Sequence, residues 1–235
     1  MSPDTGGPVA VITGAASGIG AATAALLSSA GWRTAGLDLR PSRTDHVAVV
    51  DVRDREGVAA AVEAAASAWG RVDLAVSAAG YYEEGLDVVD ITRQQWDDML
   101  AVILGGTVNL AAAVLPHMLR AGQGTFVAVS SELALAGSAT DLHYVAAKGT
   151  VLGLVKSLAV EVAHTGVRVN AVAPGPTDTP LLAADSLWRR PEYLATLPLG
   201  RLVTPHEIAH SIHYLATEGR AYCGEVMSPN AGAVI

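Results

Sequence analysis

Short apolar runs alternate with longer helical patterns along the chain. The runs Val9–Thr13, Thr34–Asp38, Val47–Val50, Leu74–Ser77, Thr125–Val129, Val167–Ala173 and Gly224–Met227 are predicted as strands. Helical periodicity is predicted over Ile19–Ala30, Arg55–Trp69, Thr92–Leu119, Leu142–His164 and Pro205–Ala216, several of them introduced by a capping Asp or Thr. Such alternation is the pattern of repeated βαβ units. It predicts an α/β fold, a Rossmann-type doubly wound parallel sheet of about seven strands with helices on both faces. The length of 235 residues gives one domain a full core and is short for two, so a single domain is expected over 1–235. Only Gly175–Gly200 lacks a clear period. It holds Pro176, Pro180, Pro191 and Pro198 with Leu181, Leu182, Trp188 and Tyr193, a composition that suits a substrate lid at about 176–200.

Composition narrows the partners. With 51% apolar residues and one Phe, the core must be built from Ala, Val and Leu. A net charge of -8 without any Lys/Arg run gives no footprint for nucleic acid or anionic lipid. The single cysteine, Cys223, excludes an internal disulfide framework and fits a reducing, cytoplasmic compartment. The N-terminus carries no cationic flank before Arg33, and Ala101–Leu119 is interrupted by Gly105, Gly106, Thr107, Asn109 and Pro116. Neither reads as a signal or a span; the second reads as a buried helix or an oligomer contact.

The first predicted strand runs into Thr13-Gly14-Ala15-Ala16-Ser17-Gly18-Ile19-Gly20 and then a helix. A glycine-rich turn at a helix N-terminus binds pyrophosphate: glycines admit the bend and the close approach, and free N–H groups with the helix dipole favour anions. Asp38 ends the second strand, where a carboxylate accepts from ribose hydroxyls and repels a 2′-phosphate. At about 4 Å that repulsion is roughly 4 kcal/mol for an effective dielectric of 20. NAD is therefore favoured over NADP, with Arg40 nearby leaving NADP open. Tyr144 and Lys148 stand at i and i+4, on one helix face. An adjacent ammonium favours phenolate, which is expected to bring the Tyr144 phenol toward working pH.

The glycine run, Ser77-Ala78-Ala79-Gly80, Ser131, Tyr144-Val145-Ala146-Ala147-Lys148, Arg168 to Gly175 and Pro198-Leu199-Gly200-Arg201 resemble, in order and spacing, the short-chain dehydrogenase/reductase family over nearly the whole chain. They look most like the subgroup of 3-oxoacyl-carrier-protein reductases and ketoreductases. The resemblance implies an NAD(H)-dependent oxidoreductase that interconverts a secondary alcohol and a ketone on a small substrate. It assigns Tyr144 as acid/base, Ser131 as substrate anchor, and Lys148 as electrostatic tuner and ribose ligand. It places Gly14, Ser17, Gly18, Ile19, Gly20 and Asp38 on the cofactor, Asp51 and Val52 beside adenine, and Ala79 and Gly80 along the cofactor. Pro174 and Gly175 with Thr177 or Thr179 meet the carboxamide. It also implies a homo-oligomer, a tetramer, with the two long helices at the interface.

Several positions depart from the family pattern. Ile103 stands seven residues after Trp96, where the family usually has an Asn that holds a water of the proton relay. Asn109 is rotated by roughly 240° from that face and is no substitute. This motivates an alternative, an NAD-binding protein of the same fold with impaired or absent catalysis. Ser77-Ala78 and Pro229-Asn230-Ala231-Gly232 are milder changes. Glu132 and His143 face either substrate or, respectively, solvent and the helix start. Leu133, Leu135, Leu181, Leu182 and Trp188 suggest an apolar cleft, with Tyr81, Tyr82, Glu83 and Glu84 as a polar rim. His206-Glu207-Ile208-Ala209-His210 fits a zinc-protease string, but a capped helix start after a Gly-Arg turn explains it, and no metal is expected.

Overall fold

The structure, a computed structural model, describes residues 6–235. Seven parallel strands form one sheet: β1 (Val9–Thr13), β2 (Arg33–Asp38), β3 (His46–Val49), β4 (Leu74–Ser77), β5 (Gly124–Val129), β6 (Val167–Val172) and β7 (Val226–Met227). Their order is β3-β2-β1-β4-β5-β6-β7. Chain direction across the sheet therefore reverses between β1 and β4, the switch point at which a doubly wound sheet opens a crevice. β1 and β4 are buried along their whole length. That is why they read as continuous apolar runs instead of alternating ones. The register pairs Thr13 with Leu37 and with Ser77, Ser77 with Ala128, and Val129 with Val172. It brings Gly14, Asp38, Ala78 and Val129 to one level at the carboxyl ends of the strands.

One face of the sheet carries α2 (Arg55–Trp69), α3 (Arg93–Leu100), α4 (Gly106–Ala121) and α6 (Leu142–Val162); the other carries α1 (Gly18–Ser29) and α8 (Pro205–Thr217). Small residues let these helices lie close, with Ala61, Ala65, Ala66, Ala111, Ala147 and Ala159 buried in the first layer. Thr92 and Thr204 each form a capping box, with Gln95 and Glu207. The expected continuous helix Thr92–Leu119 is corrected: α3 and α4 are joined by a π-helical turn, Ala101–Gly105. Gly105 and Gly106 weaken the α-helical repeat there, and Thr107 Oγ1 donates back to the Ile103 carbonyl at 2.6 Å. By length and composition the run Arg93–Ala121 could cross a membrane. Here it is a layer of the domain, with Met99, Ile103, Leu110, Val114 and Met118 buried.

The stretch expected to be an aperiodic lid has local structure of its own, a 3-10 turn at Leu187–Arg189 and a short α7 (Pro191–Leu194). Arg189 pins its fold, donating to Asp178 at 2.7 Å and to the carbonyls of Thr179 and Ala183, both at 3.1 Å. One further helix escaped the sequence pattern, the single turn α5 (Leu133–Ala136). β7 is shorter than the run Gly224–Met227, and Gly224 ahead of it adopts φ 72.

Candidate active site

A cleft of about 890 Å³ opens along the carboxyl ends of the strands. Its floor begins at the glycine turn. Gly14 has φ 70, and a Cβ there would lie 2.9 Å from the Ala78 carbonyl; a Cβ on Gly20 would lie 2.2 Å from the Gly14 carbonyl oxygen. Only glycine lets β1, β4 and the start of α1 approach this closely. Ser17 and Ile19 flank Gly18 on the cleft wall. Asp38 closes the far side: its Oδ2 accepts the Ala16 N–H at 3.0 Å and its Oδ1 the Arg40 N–H at 3.1 Å. The Arg40 guanidinium reaches Ser17 Oγ at 3.4 Å. Asp51 and Val52 line the next part. Arg53 grips the Asp51 carboxylate, closest at 2.7 Å, and holds its pKa below the ordinary carboxylate range.

Ala79 and Gly80 follow β4 and face the cleft. Thr13 Oγ1 accepts the N–H groups of Ala78 and Ala79 at 3.1 and 3.3 Å, locking the two strand exits together. On the opposite wall, Gly175 N–H donates to the Pro229 carbonyl at 3.1 Å, and Thr177 Oγ1 donates to the Gly175 carbonyl at 2.7 Å. Thr179 leans over the glycine turn, since a Cβ on Gly18 would meet its Cγ2 at 3.3 Å. Every cofactor-binding position expected from the sequence borders this one cleft.

Its inner end holds Ser131, Tyr144 and Lys148, all buried. Lys148 Nζ donates to the Val129 carbonyl at 2.8 Å and lies 5.7 Å from the centroid of the Tyr144 ring. Burial lowers this ammonium to about 8. Burial also pushes the Tyr144 phenol up, helped by the charges of Glu132 and Asp141, while the Ser131 hydroxyl pulls the other way. The expectation of a lowered phenol is corrected for the protein's own groups: desolvation outweighs them.

Glu132 is buried and lines the cleft, its Oε2 3.0 Å from Ser131 Oγ, so it does not face solvent. His143 is buried outside the cleft lining, its Nε2 3.3 Å from Glu83 Oε2. Ile103 is buried, and it borders Gly80 as Lys148 does: a Cβ on that glycine would lie 3.7 Å from Lys148 Nζ and 3.8 Å from Ile103 Cγ1. Asn109 is turned elsewhere and donates to the Val52 carbonyl at 2.8 Å. Leu133, Leu181, Leu182 and Trp188 form the apolar wall, whereas Leu135 is exposed and outside it.

Of the expected rim, Tyr81, Tyr82 and Glu83 line the cleft and Glu84 does not, while Tyr82 and Glu84 fasten the lid. Tyr82 Oη donates to Asp141 and accepts from Trp188 Nε1, both at 2.9 Å. Its ring meets that of Tyr144 edge-on at 4.9 Å, and Glu84 accepts the Leu187 N–H at 2.9 Å. Sequence reasoning missed this latch and the roles of Thr13 and Arg53: Thr13 reads only as the first residue of the glycine run, and Tyr82, Trp188 and Arg53 belong to no motif. Glu207 of the zinc-like string is bound by Arg201 at 2.7 Å and by its capping partner Thr204, which hold it at about 2. Its carboxylate is committed to the helix start.

A family model described as Enoyl-(Acyl carrier protein) reductase matches residues 14–233. The cis-4-hydroxycyclohexanecarboxylate dehydrogenase of Sinomonas cyclohexanicum is 38% identical over 95% of each chain. The 3-oxoacyl-[acyl-carrier-protein] reductase FabG of Thermotoga maritima is 34% identical over 97% of this chain and 98% of its own. Among solved structures, a 3-ketoacyl-(acyl-carrier-protein) reductase from Brucella melitensis complexed with NADH superposes with a TM-score of 0.92 at 27% identity, covering 98% of this chain and 99% of that one. The fold and cleft define a nucleotide-binding α/β oxidoreductase. The chain belongs to the short-chain dehydrogenase/reductase family, whose members act on CH–OH or keto groups.

Proposed function

We propose that the protein is an NAD(H)-dependent oxidoreductase that interconverts a secondary alcohol and a ketone on a small apolar, alicyclic or aromatic substrate. The observation that carries this is the meeting of Ser131, Tyr144 and Lys148 at the inner end of a cleft whose outer end is a glycine turn. A nicotinamide dinucleotide fits these residues, because the turn admits no Cβ at Gly14 or Gly20 and leaves backbone N–H groups for phosphate. When bound, it supplies or accepts the hydride and adds a positive charge in its oxidised form. Tyr144 gives its phenolic proton to the ketone oxygen in reduction and takes it back from the alcohol in oxidation. Ser131 holds the same oxygen by a hydrogen bond. Lys148, fixed by the Val129 carbonyl, binds the ribose and stabilises the phenolate. Asp38 favours NADH over NADPH by repelling a 2′-phosphate. The alicyclic alcohol named for the Sinomonas relative suits the wall of Leu133, Leu181, Leu182 and Trp188. A cytoplasmic homotetramer belongs to the same reading, supported by the lone cysteine and by apolar residues exposed on α4 and α6.

The test is a panel of alicyclic, aromatic and acyl-thioester ketones followed at the nicotinamide absorbance, with Tyr144→Phe alongside. Tyr144→Phe is expected to lower turnover by about 10²–10⁴, the worth of positioned proton transfer, and to leave NADH affinity within a few-fold. Full activity in that variant sinks the assignment. Ile103, apolar and buried next to Gly80, favours a second reading, a cofactor-binding protein with impaired catalysis. Tight NADH binding with no turnover on the whole panel would support it.

A further inference from the structure

The inner end of the cleft contains a buried carboxyl group that hydride and proton transfer, as described, does not use. Glu132 is 5% exposed. Its backbone N–H donates to the Pro174 carbonyl at 2.9 Å, which fixes the residue between β5 and the wall formed after β6. Its side chain turns back onto Ser131, with Oε2 3.0 Å from Oγ. Ser131 Oγ also accepts the Leu133 N–H at 3.2 Å. A serine hydroxyl has one proton and two lone pairs. With one lone pair given to Leu133, the proton and the other lone pair are shared among Glu132, the Tyr144 phenol and whatever lies in the cleft. A carboxylate can only accept, so it captures the serine proton. A carboxylic acid can donate to Oγ, and then the serine proton is free to point into the cleft.

We propose that Glu132 is a positioning residue whose protonation state decides whether the Ser131 hydroxyl proton is offered to the substrate oxygen. As the acid it donates to Ser131 Oγ and arms the anchor; as the carboxylate it takes the serine proton and disarms it. This rests on the reading of Ser131 as substrate anchor. In ketone reduction the oxygen then faces two donors, and the proton it keeps comes from Tyr144. Ser131 and Glu132 retain their own.

The surroundings poise the group for this role. Burial raises the Glu132 carboxyl to about 7, against the hydrogen bonds from Ser131 and from the Glu132 and Leu133 backbone. Facing it are Tyr144 on α6 and Tyr193 on α7, both of whose phenols its charge raises. Asp141, at the start of α6, acts on Tyr144 in the same sense, and the Lys148 ammonium is engaged by the Val129 carbonyl. Below about 7 the acid form dominates and the anchor is armed; above it the carboxylate dominates.

The test is kcat/KM for ketone reduction by NADH as a function of pH, in the parent chain, Glu132→Gln and Ser131→Ala. In the parent, one ionisation near 7 makes the value fall by about tenfold or more between about pH 6 and 8.5. Gln offers an N–H to Ser131 at every pH, so in Glu132→Gln the limb near 7 is expected to vanish, leaving at most the roughly fivefold fall that Lys148, lowered to about 8, gives over the same range, with NADH affinity retained. Ser131→Ala is expected to be slower at all pH values and to lack the same limb. A parent profile without the limb, or a Glu132→Gln profile that keeps it, overturns the proposal. Infrared pH-difference spectra give a reading independent of substrate: a protonated carboxyl band that disappears near pH 7 and is missing in Glu132→Gln. Its absence from the parent also overturns the proposal. An active Tyr144→Phe is a different outcome, which removes the reaction assignment itself.

Discussion

At position 103 an aliphatic side chain occupies the place where the family pattern has an amide, and it is packed among apolar residues. Ile103 is 1% exposed and belongs to the main apolar cluster, while its carbonyl is taken by Thr107, whose hydroxyl pairs with Ser77 at 2.9 Å. Restoring the amide therefore puts a polar group into an apolar site. Ile103→Asn is expected to lower stability by about 2–4 kcal/mol, from lost packing and an unpaired amide, as read by chemical denaturation. An unchanged unfolding midpoint together with faster turnover would show instead that the missing amide limits the rate. Asp38 raises the complementary question of charge. Its two oxygens already accept the Ala16 and Arg40 N–H groups, so the carboxylate is held in place on the cleft wall. NADH is expected to bind at least about tenfold more tightly than NADPH, and Asp38→Ala should narrow that ratio by uncovering Arg40. Fluorescence titration with both reduced cofactors checks this, and a parent chain that prefers NADPH contradicts it.

Elements whose residues have one dominant environment were legible from the sequence; those shaped by tertiary contact were not. β1 reads as a strand because Val9, Ala10, Val11 and Ile12 are buried on both faces, and the glycine turn after it is readable because its conformation excludes other residues. The same holds for the Tyr144 and Lys148 pair, which one helical turn brings together. The π-helical turn was not legible, since Ala101–Gly105 keeps an apolar helical composition and only the Thr107 bond and the close packing of Gly106 on Val52 reveal it. The lid was legible as an interruption but not as a structure. Its order depends on partners about a hundred residues away, Tyr82 for Trp188 and Glu84 for Leu187. Trp188→Phe keeps the apolar wall and the edge contact with Tyr193 but loses the indole N–H. One hydrogen bond is worth about 1 kcal/mol net, so the variant is expected to raise KM several-fold with little change in kcat. An equal fall in kcat would place Trp188 in the transition state instead of the latch.

Across the whole molecule, one layer has more apolar surface than the sheet can cover. The helical run Arg93–Ala121 is apolar along most of its length, yet only 44% of its most apolar window is buried within the chain. On its outer side Val108 is 39% and Leu119 42% exposed, and on the neighbouring α6 Val160 is 78% exposed. The α1 and α8 layer buries Leu27, Ile208, Ile212 and Leu215 completely. Exposed apolar groups scattered singly are ordinary, but several on adjacent helices of one layer call for a cover. In the proposed homo-oligomer a second copy of the chain would supply it through the same surface, since a twofold interface sets each patch against itself. Because α6 also carries Tyr144 and Lys148, and the π-helical turn lies beside Gly80, this cover would stiffen the inner wall of the cleft from behind. Light scattering is expected to give a multiple of the 24.0 kDa chain mass at micromolar concentration. Val160→Asp should shift that mass downward by setting a carboxylate against its own copy across the axis, where desolvated like charges cost several kcal/mol. If assembly stiffens the wall, the same variant loses turnover along with mass while NADH still binds at the glycine turn. A parent chain that scatters as a monomer contradicts the assembly, and a monomeric Val160→Asp with full turnover contradicts its link to the cleft.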